Sequence, residues 1–292
     1  MHWASRRRKF RALIESKKCY HPASVFDAMS ARIAEDLGFE CGMYAGSNST
    51  LAILGAPDVM VMTLTEFAQQ ALRINRATKM PVMCEADTGY GNALNVRRTV
   101  EEMETAGIAA INIEDSVVPR PYGVSDKVQL ISIDEAVGKL KAALDARQDK
   151  SLVISGRTRA FAASPSNIKD AVARCKAYEK AGVDSVFLTS LKTRKQLEAI
   201  HDAVKIPILL GSIDPMGELY DKAYLAKMGV RISLQGHQSI RGAVQGVYDT
   251  LKALRDGVNP KQLKGIASAD LMAKVTRAKD YDRWIEEFLG GV

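Results

Sequence analysis

Short apolar runs recur along the chain and alternate with stretches of helical periodicity. The runs are 19–24 (CYHPAS), 40–46 (ECGMYAG), 81–87 (PVMCEAD), 109–115 (AAINIED), 151–157 (SLVISGR), 184–190 (DSVFLTS), 206–212 (IPILLGS) and 230–235 (VRISLQ). Between them, Phe67, Ala71 and Ile74 share one helical face, as do Val96, Val100 and Met103. Ile168, Val172 and Cys175 repeat the pattern, then Leu197, Ile200 and Val204. Thr63 with Glu66 and Ser132 with Glu135 have capping-box spacing. Ser164-Pro165 reads as a cap followed by a first-turn proline. Gly107, Gly182 and Gly229 fall where helices need a left-handed terminal residue. Strands alternating with helices pair in parallel, and eight such units in about 250 residues predict a (β/α)8 barrel. A doubly wound open sheet competes on pattern, but no Gly-rich dinucleotide fingerprint follows the first run.

The chain has 292 residues, 47% of them hydrophobic, enough for a large core. No Pro-, Ser- or Gly-rich linker divides it. The expected organisation is a barrel domain over 1–257 and a helical extension over 258–292. The extension includes YDRWIEEFL, whose apolar residues have no obvious place on a closed barrel. No apolar run approaches the roughly 18 residues of a membrane span. MHWASRRRKF carries basic residues with no apolar core behind them, so no secretory signal is expected. Four scattered cysteines (Cys19, Cys41, Cys84, Cys175) lack metal-ligand spacing and predict reduced core thiols in a cytoplasmic protein. The formal charge is +7, densest at Arg6-Arg7-Arg8-Lys9. With no nucleic-acid-binding motif present, it reads as a solvated basic surface compatible with anionic substrates.

Two of the apolar runs end on acids, Glu85 and Asp87 in one and Glu114 and Asp115 in the other. Carboxylates are costly to bury unless cations or donors meet them. Glu85 and Asp87, two apart, point to one side of a strand. Glu114 faces with Asn112, and Asp115 faces the other way. Barrel active sites lie at the C-terminal strand ends. Turn or cap roles would explain one acidic end, but several of them, with Asp58 added, favour a site for Mg2+, which keeps some waters and takes few carboxylates.

EADTGYGNALNV followed by AGIAAINIED resembles the isocitrate lyase and phosphoenolpyruvate mutase superfamily, over nearly the whole chain. SVFDAMSARIAEDLGFECGMYAGS resembles its opening unit, GAPD supplies its usual acid at Asp58, and ISGRTRA resembles the segment with its substrate-binding arginine, here Arg157. The resemblance implies a barrel whose eighth helix is exchanged between subunits, in a homotetramer built from dimers. It also implies Mg2+ (or Mn2+) and a 2-oxo acid or related carboxylate as substrate. Glu85 falls where the family binds the metal directly, with Asp58, Asp87 and Glu114 holding it largely through water. Tyr44, Ala45, Gly46 and Ser47 match the turn that receives a substrate carboxylate. Arg157 matches the clamp on that carboxylate or the adjacent keto oxygen.

Three departures shape the expected chemistry. Glu85 is one methylene longer than the family's usual Asp, and Arg159 replaces its usual Asp or Asn. The loop after the fourth strand, SVVPRPYGVSDK, carries neither the KKCGH segment of the lyases nor the Lys and Asn of the mutase and hydrolase branch. What remains is metal-assisted decarboxylation of a 2-oxo dicarboxylate such as oxaloacetate, which needs no strong base. His237, in QGHQS, resembles a histidine that the decarboxylase-like branch aims at the distal carboxylate; a helix-capping histidine is the alternative. The branch's aromatic hydroxyl near the seventh strand is missing, GSIDP offering only Ser212 and Asp214. The alternatives are C–C cleavage of a 2-hydroxy acid (2-methylisocitrate or dimethylmalate type), C–P bond chemistry, and a non-catalytic carboxylate-binding barrel.

Overall fold

A computed structural model describes residues 3–124 and 127–290. Its eight strands are β1 Ala23–Val25, β2 Gly42–Tyr44, β3 Val82–Glu85, β4 Ala110–Glu114, β5 Val153–Thr158, β6 Ser185–Leu188, β7 Ile208–Leu210 and β8 Val230–Ser233. They form one sheet in chain order, every adjacent pair parallel. A parallel bridge between Tyr20 and Ile232 joins the segment before β1 to β8, so the two sheet edges meet in a barrel. The first eight helices are α1 Ala4–Glu15, α2 Ala28–Asp36, α3 Gly46–Leu54, α4 Leu64–Ala77, α5 Ala93–Thr105, α6 Ile133–Ala146, α7 Ala160–Ala163 and α8 Ile168–Ala181. There follow α9 Arg194–Ala203, α10 Lys222–Lys227, α11 Gln238–Arg255, α12 Ala269–Thr276 and α13 Ala278–Leu289.

The period-2 and period-3.6 patterns separate the core into two layers. Inside the barrel, Met43, Met83, Val153, Phe187, Leu209 and Ile232 pack together. Between strands and helices lies a larger layer that includes Phe67, Ala71, Ile74, Val100, Met103, Leu197 and Ile200. The Thr63–Glu66 capping box forms as the spacing predicts, and Ser132 accepts from the Glu135 amide. Gly107, Gly182 and Gly229 all take positive φ.

Three local expectations are corrected. The first strand begins later than the 19–24 run, at Ala23, and Tyr20 forms a separate bridge to β8. Ser164 closes α7; α8 is capped instead by Asn167, whose side chain accepts from the Asp170 amide. The basic cluster at 6–9 is not wholly a solvated face. α1 lies under the barrel with Phe10 and Ile14 in the interior cluster. On the same helix Arg7, 1% exposed, pairs with Asp149 at 3.0 Å and donates to the carbonyl of Ile108 at 3.1 Å. A buried guanidinium is tolerable because acid and carbonyl partners surround it.

By compactness the chain divides into two units, Met1–Gly236 and His237–Val292, the division falling before α11. Within the second unit, large apolar side chains are open to solvent: Val247, Tyr248 and Leu251 on α11, and Trp284, Ile285 and Phe288 on α13. Among the described residues no helix is long and apolar enough to cross a membrane.

Candidate active site

Strand register assembles the site. Glu85 at the end of β3 stands beside Asn112 of β4, and Glu114 at the end of β4 stands beside Arg157 of β5. In a parallel barrel, residues at matching register and equal parity share the interior, so these side chains converge at the C-terminal mouth. Arg157 bridges the two acids. Its Nη1 lies 3.2 Å from Glu85 Oε2 and its Nε 2.8 Å from Glu114 Oε2, the latter contact an ion pair outside hydrogen-bond alignment. The Phe187 ring lies 5.2 Å from the guanidinium carbon and closes the site from below as a cation–π surface. Burial opposes the charge of Arg157, but Glu85, Glu114 and Asp87 more than offset it and hold the guanidinium protonated.

Asp87 follows β3 in a turn that few residues can make. Asp87, Gly89, Tyr90 and Gly91 all have positive φ, a region costly for side chains with Cβ. At Gly89 a Cβ would come within 2.3 Å of Val96 Cγ2, so glycine is required there on space as well. The turn is pinned to β4 by the Glu114 amide, which donates to the Asp87 carbonyl at 2.7 Å. The Asp87 carboxylate folds over Gly46, where a Cβ would meet Oδ1 at 2.9 Å. The turn 44–47 and the acidic cluster are therefore in direct contact. Burial, then the charges of Asp58 and Glu85, push the Asp87 carboxyl up to about 7. Asp58, on the exposed connection between α3 and α4, thus acts on this site through its charge.

Tyr44 does not turn its side chain to the mouth. It stacks on Phe67 with ring centroids 4.4 Å apart, its hydroxyl donating to the Phe67 carbonyl at 3.3 Å. What the turn presents is backbone: Ala45 precedes α3 without a side-chain cap, and Gly46 and Ser47 open the helix. Helix N-terminal amides suit an anion. His237 is the N-cap residue of α11, yet its side chain caps nothing, and it opens the second compact unit.

Ser116, Arg159 and Asn112 surround the acids, with contacts that the sequence did not specify. Ser116 donates to Glu114 Oε1, fixing the acid from the loop side. Arg159 Nη1 sits 3.9 Å from the same oxygen and lines a cavity of about 160 Å3 with Ser116, Arg120, Lys127 and Gln129. Ser125 and Asp126, the end of the thiol-free loop segment, lie outside the described residues. Asn112 donates to the Cys84 carbonyl at 2.7 Å, while its buried Oδ1 has no hydrogen-bond partner among the described residues.

The donor set bears on a metal. Among the described residues no three His, Cys, Asp or Glu side chains close into a direct cage. Four carboxylates nonetheless act on one mouth, with Asp87 left partly unneutralised by Arg157. Hard oxygen donors with excess negative charge and no tight cage fit a divalent cation that retains water.

An (α/β) barrel with an acidic, arginine-clamped C-terminal mouth defines the class. Residues 10–255 match the phosphoenolpyruvate phosphomutase family, and the chain belongs to it. It is 54% identical over 285 residues to an oxaloacetate decarboxylase of Bradyrhizobium sp. (strain ORS 278), covering 98% of this chain and 97% of the relative. Phosphonopyruvate hydrolase in complex with oxalate and Mg2+ superposes with a TM-score of 0.85 at 26% identity, over 97% of this chain and 99% of that one. Oxaloacetate acetylhydrolase in complex with 3,3-difluorooxalacetate gives 0.85 at 26% identity, over 99% and 98%.

Proposed function

We propose that this enzyme decarboxylates oxaloacetate to pyruvate and CO2. The observation that carries the reading is Arg157 between Glu85 and Glu114, an anion clamp beside an acidic cluster, with every cysteine buried. The likeness to oxaloacetate decarboxylases over almost the full length supports the substrate. Arg157 holds the C1 carboxylate with the N–H edge turned from the two acids, so the C2 carbonyl is fixed in place. The amides opening α3 at Gly46 and Ser47 receive the same carboxylate. Breaking C3–C4 sends its electron pair toward the C2 oxygen and releases CO2. No residue has to remove a carbon-bound proton first.

Glu85, Asp87, Asp58 and Glu114 would hold the divalent ion, Mg2+ on the hardness of the donors, with Mn2+ able to substitute. When bound, the ion supplies Lewis acidity at the keto oxygen of the substrate. His237 orients the leaving carboxylate or returns a proton to C3; His237→Ala would then slow turnover by about 10²-fold, and an unchanged rate would remove it from the site. The exposed apolar faces of α11 and α13 are covered in a second copy of the chain, giving an exchanged-helix dimer and a homotetramer. Four free, buried thiols suit the reducing cytoplasm, and no nucleic-acid or membrane partner is called for.

The test is product analysis by NMR with purified protein, Mg2+ and oxaloacetate, corrected for the metal-only background. Pyruvate formed with loss of one carbon supports the reading. Oxalate and acetate would assign hydrolysis of the C2–C3 bond, and no turnover would leave a carboxylate-binding barrel.

A further inference from the structure

Asp115 follows Glu114, the last residue of β4, but points the opposite way, out of the barrel toward α8, and is 1% exposed. Its Oδ2 accepts from Tyr178 Oη at 2.7 Å and from Arg174 Nη1 at 3.1 Å, both on α8. Its Oδ1 accepts the amide of Arg159 at 3.1 Å. The backbone makes two more ties. The Asp115 amide donates to the Arg157 carbonyl at 3.2 Å, and the Asp115 carbonyl accepts the Ile131 amide at 2.9 Å. Arg174 Nη1 also reaches the Ile131 carbonyl at 3.0 Å. Ser116 and Leu130 pair just inside this knot, so both stems of the loop between β4 and α6 start from it.

Arg159 needs such a support. It turns the chain from β5 into α7, a four-residue helix with no side-chain cap, at φ −101° and ψ 24°. We infer that Asp115, backed by Arg174 and Tyr178, is a positioning residue that sets the aim of Arg157 and Arg159 through their backbone and anchors the paired stems Ser116 and Leu130. It touches none of the proposed reacting atoms. An arginine that grips a carboxylate equally in ground and transition states acts on substrate affinity rather than on the chemical step. Loss of its alignment therefore raises KM and leaves kcat.

The inference rests on the decarboxylase reading, and the experiment separates the two. Steady-state kinetics on oxaloacetate, calorimetric binding of oxalate and binding of Mn2+ are measured for wild type, Asp115→Asn and Tyr178→Phe. For Asp115→Asn, KM and the oxalate Kd rise by about tenfold or more while kcat and the Mn2+ affinity stay within about threefold. Tyr178→Phe, which removes one tie, moves the same two constants by about threefold. Wild-type KM and oxalate affinity in a folded Asp115→Asn overturn the assignment. So does a parallel fall of kcat, Mn2+ affinity and thermal midpoint, which marks general loosening. If Asp115→Asn does not fold, Tyr178→Phe decides by the same split. A wild type that neither turns over oxaloacetate nor binds oxalate refutes the function itself, and the positioning role with it.

Discussion

Arg157 Nη1 lies 3.2 Å from Glu85 Oε2, so the proposed substrate clamp is ion-paired to an acid of the proposed cation site. A cation and a guanidinium then compete for the same carboxylate, and each weakens the other until an anionic ligand joins them. Dicarboxylate and metal should bind cooperatively, as linkage requires. Arg157→Gln removes the competing charge. Calorimetry should show Mn2+ alone binding several-fold more tightly to this variant, with oxalate no longer strengthening it. Weaker binding of Mn2+ alone would mean that Arg157 organises the acids rather than competing for them.

Asp87 ties metal binding to pH. Its carboxyl is pushed up to about 7 by burial and by Asp58 and Glu85, against about 4 in an unfolded chain. The folded, metal-free protein therefore keeps a proton that the unfolded chain gives up. The stability this contributes is complete below about pH 4 and is lost as the pH rises through 7. Metal affinity runs in the opposite sense, strengthening as pH rises through 7, and binding at pH 6.5 should release a proton. Calorimetry in buffers of different ionisation enthalpy measures that release, and Asp87→Asn should abolish it.

Gly46→Ala is a steric probe of the contact between the turn and the acid. Residue 46 is helical, so alanine costs the backbone nothing, but its Cβ would meet Asp87 Oδ1 at 2.9 Å. The carboxylate must shift by a few tenths of an ångström. Turnover and Mn2+ affinity should each fall by about tenfold or more, with the unfolding midpoint nearly unchanged. Wild-type metal affinity would show that Asp87 swings aside without penalty.

How much of this was legible in the sequence follows from the range of each interaction. Glu85, Asp87 and Glu114 could be placed at strand ends because side-chain alternation is a local rule, whereas Arg157 was reached only through the resemblance of ISGRTRA; the structure aligns Glu85 with Asn112 and Glu114 with Arg157. Alternation also turns Asp115 outward, but not toward any particular partner. Arg174 and Tyr178 lie 59 and 63 residues away and meet it only through helix packing. Arg7 failed for the same reason: beside Arg6, Arg8 and Lys9 it looks solvated, and only Asp149, 142 residues on, makes its burial tolerable. Tyr44 was expected in the carboxylate-receiving turn, yet its ring is claimed by Phe67 from α4.

The last expectation concerns thiols. Lyase chemistry at a C–H or O–H bond needs a group that exchanges a proton with substrate, and a low-pKa thiolate is one such group. Cys19, Cys41, Cys84 and Cys175 are all buried. Burial pushes Cys19 up to about 11 and Cys84 well above the ordinary thiol value, the latter helped by Glu85 and Asp87. Thiols that are both shielded and neutral alkylate slowly, and the chain from Ser116 to Leu130 contains no cysteine. Iodoacetamide at pH 7.5 should therefore leave oxaloacetate turnover within about twofold of the untreated enzyme, while mass spectrometry finds the four thiols unmodified in the folded protein. Rapid inactivation tracking the labelling of one cysteine would place a thiol in the reaction. Release of glyoxylate or succinate from an isocitrate-type substrate would do more, replacing decarboxylation by C–C lysis.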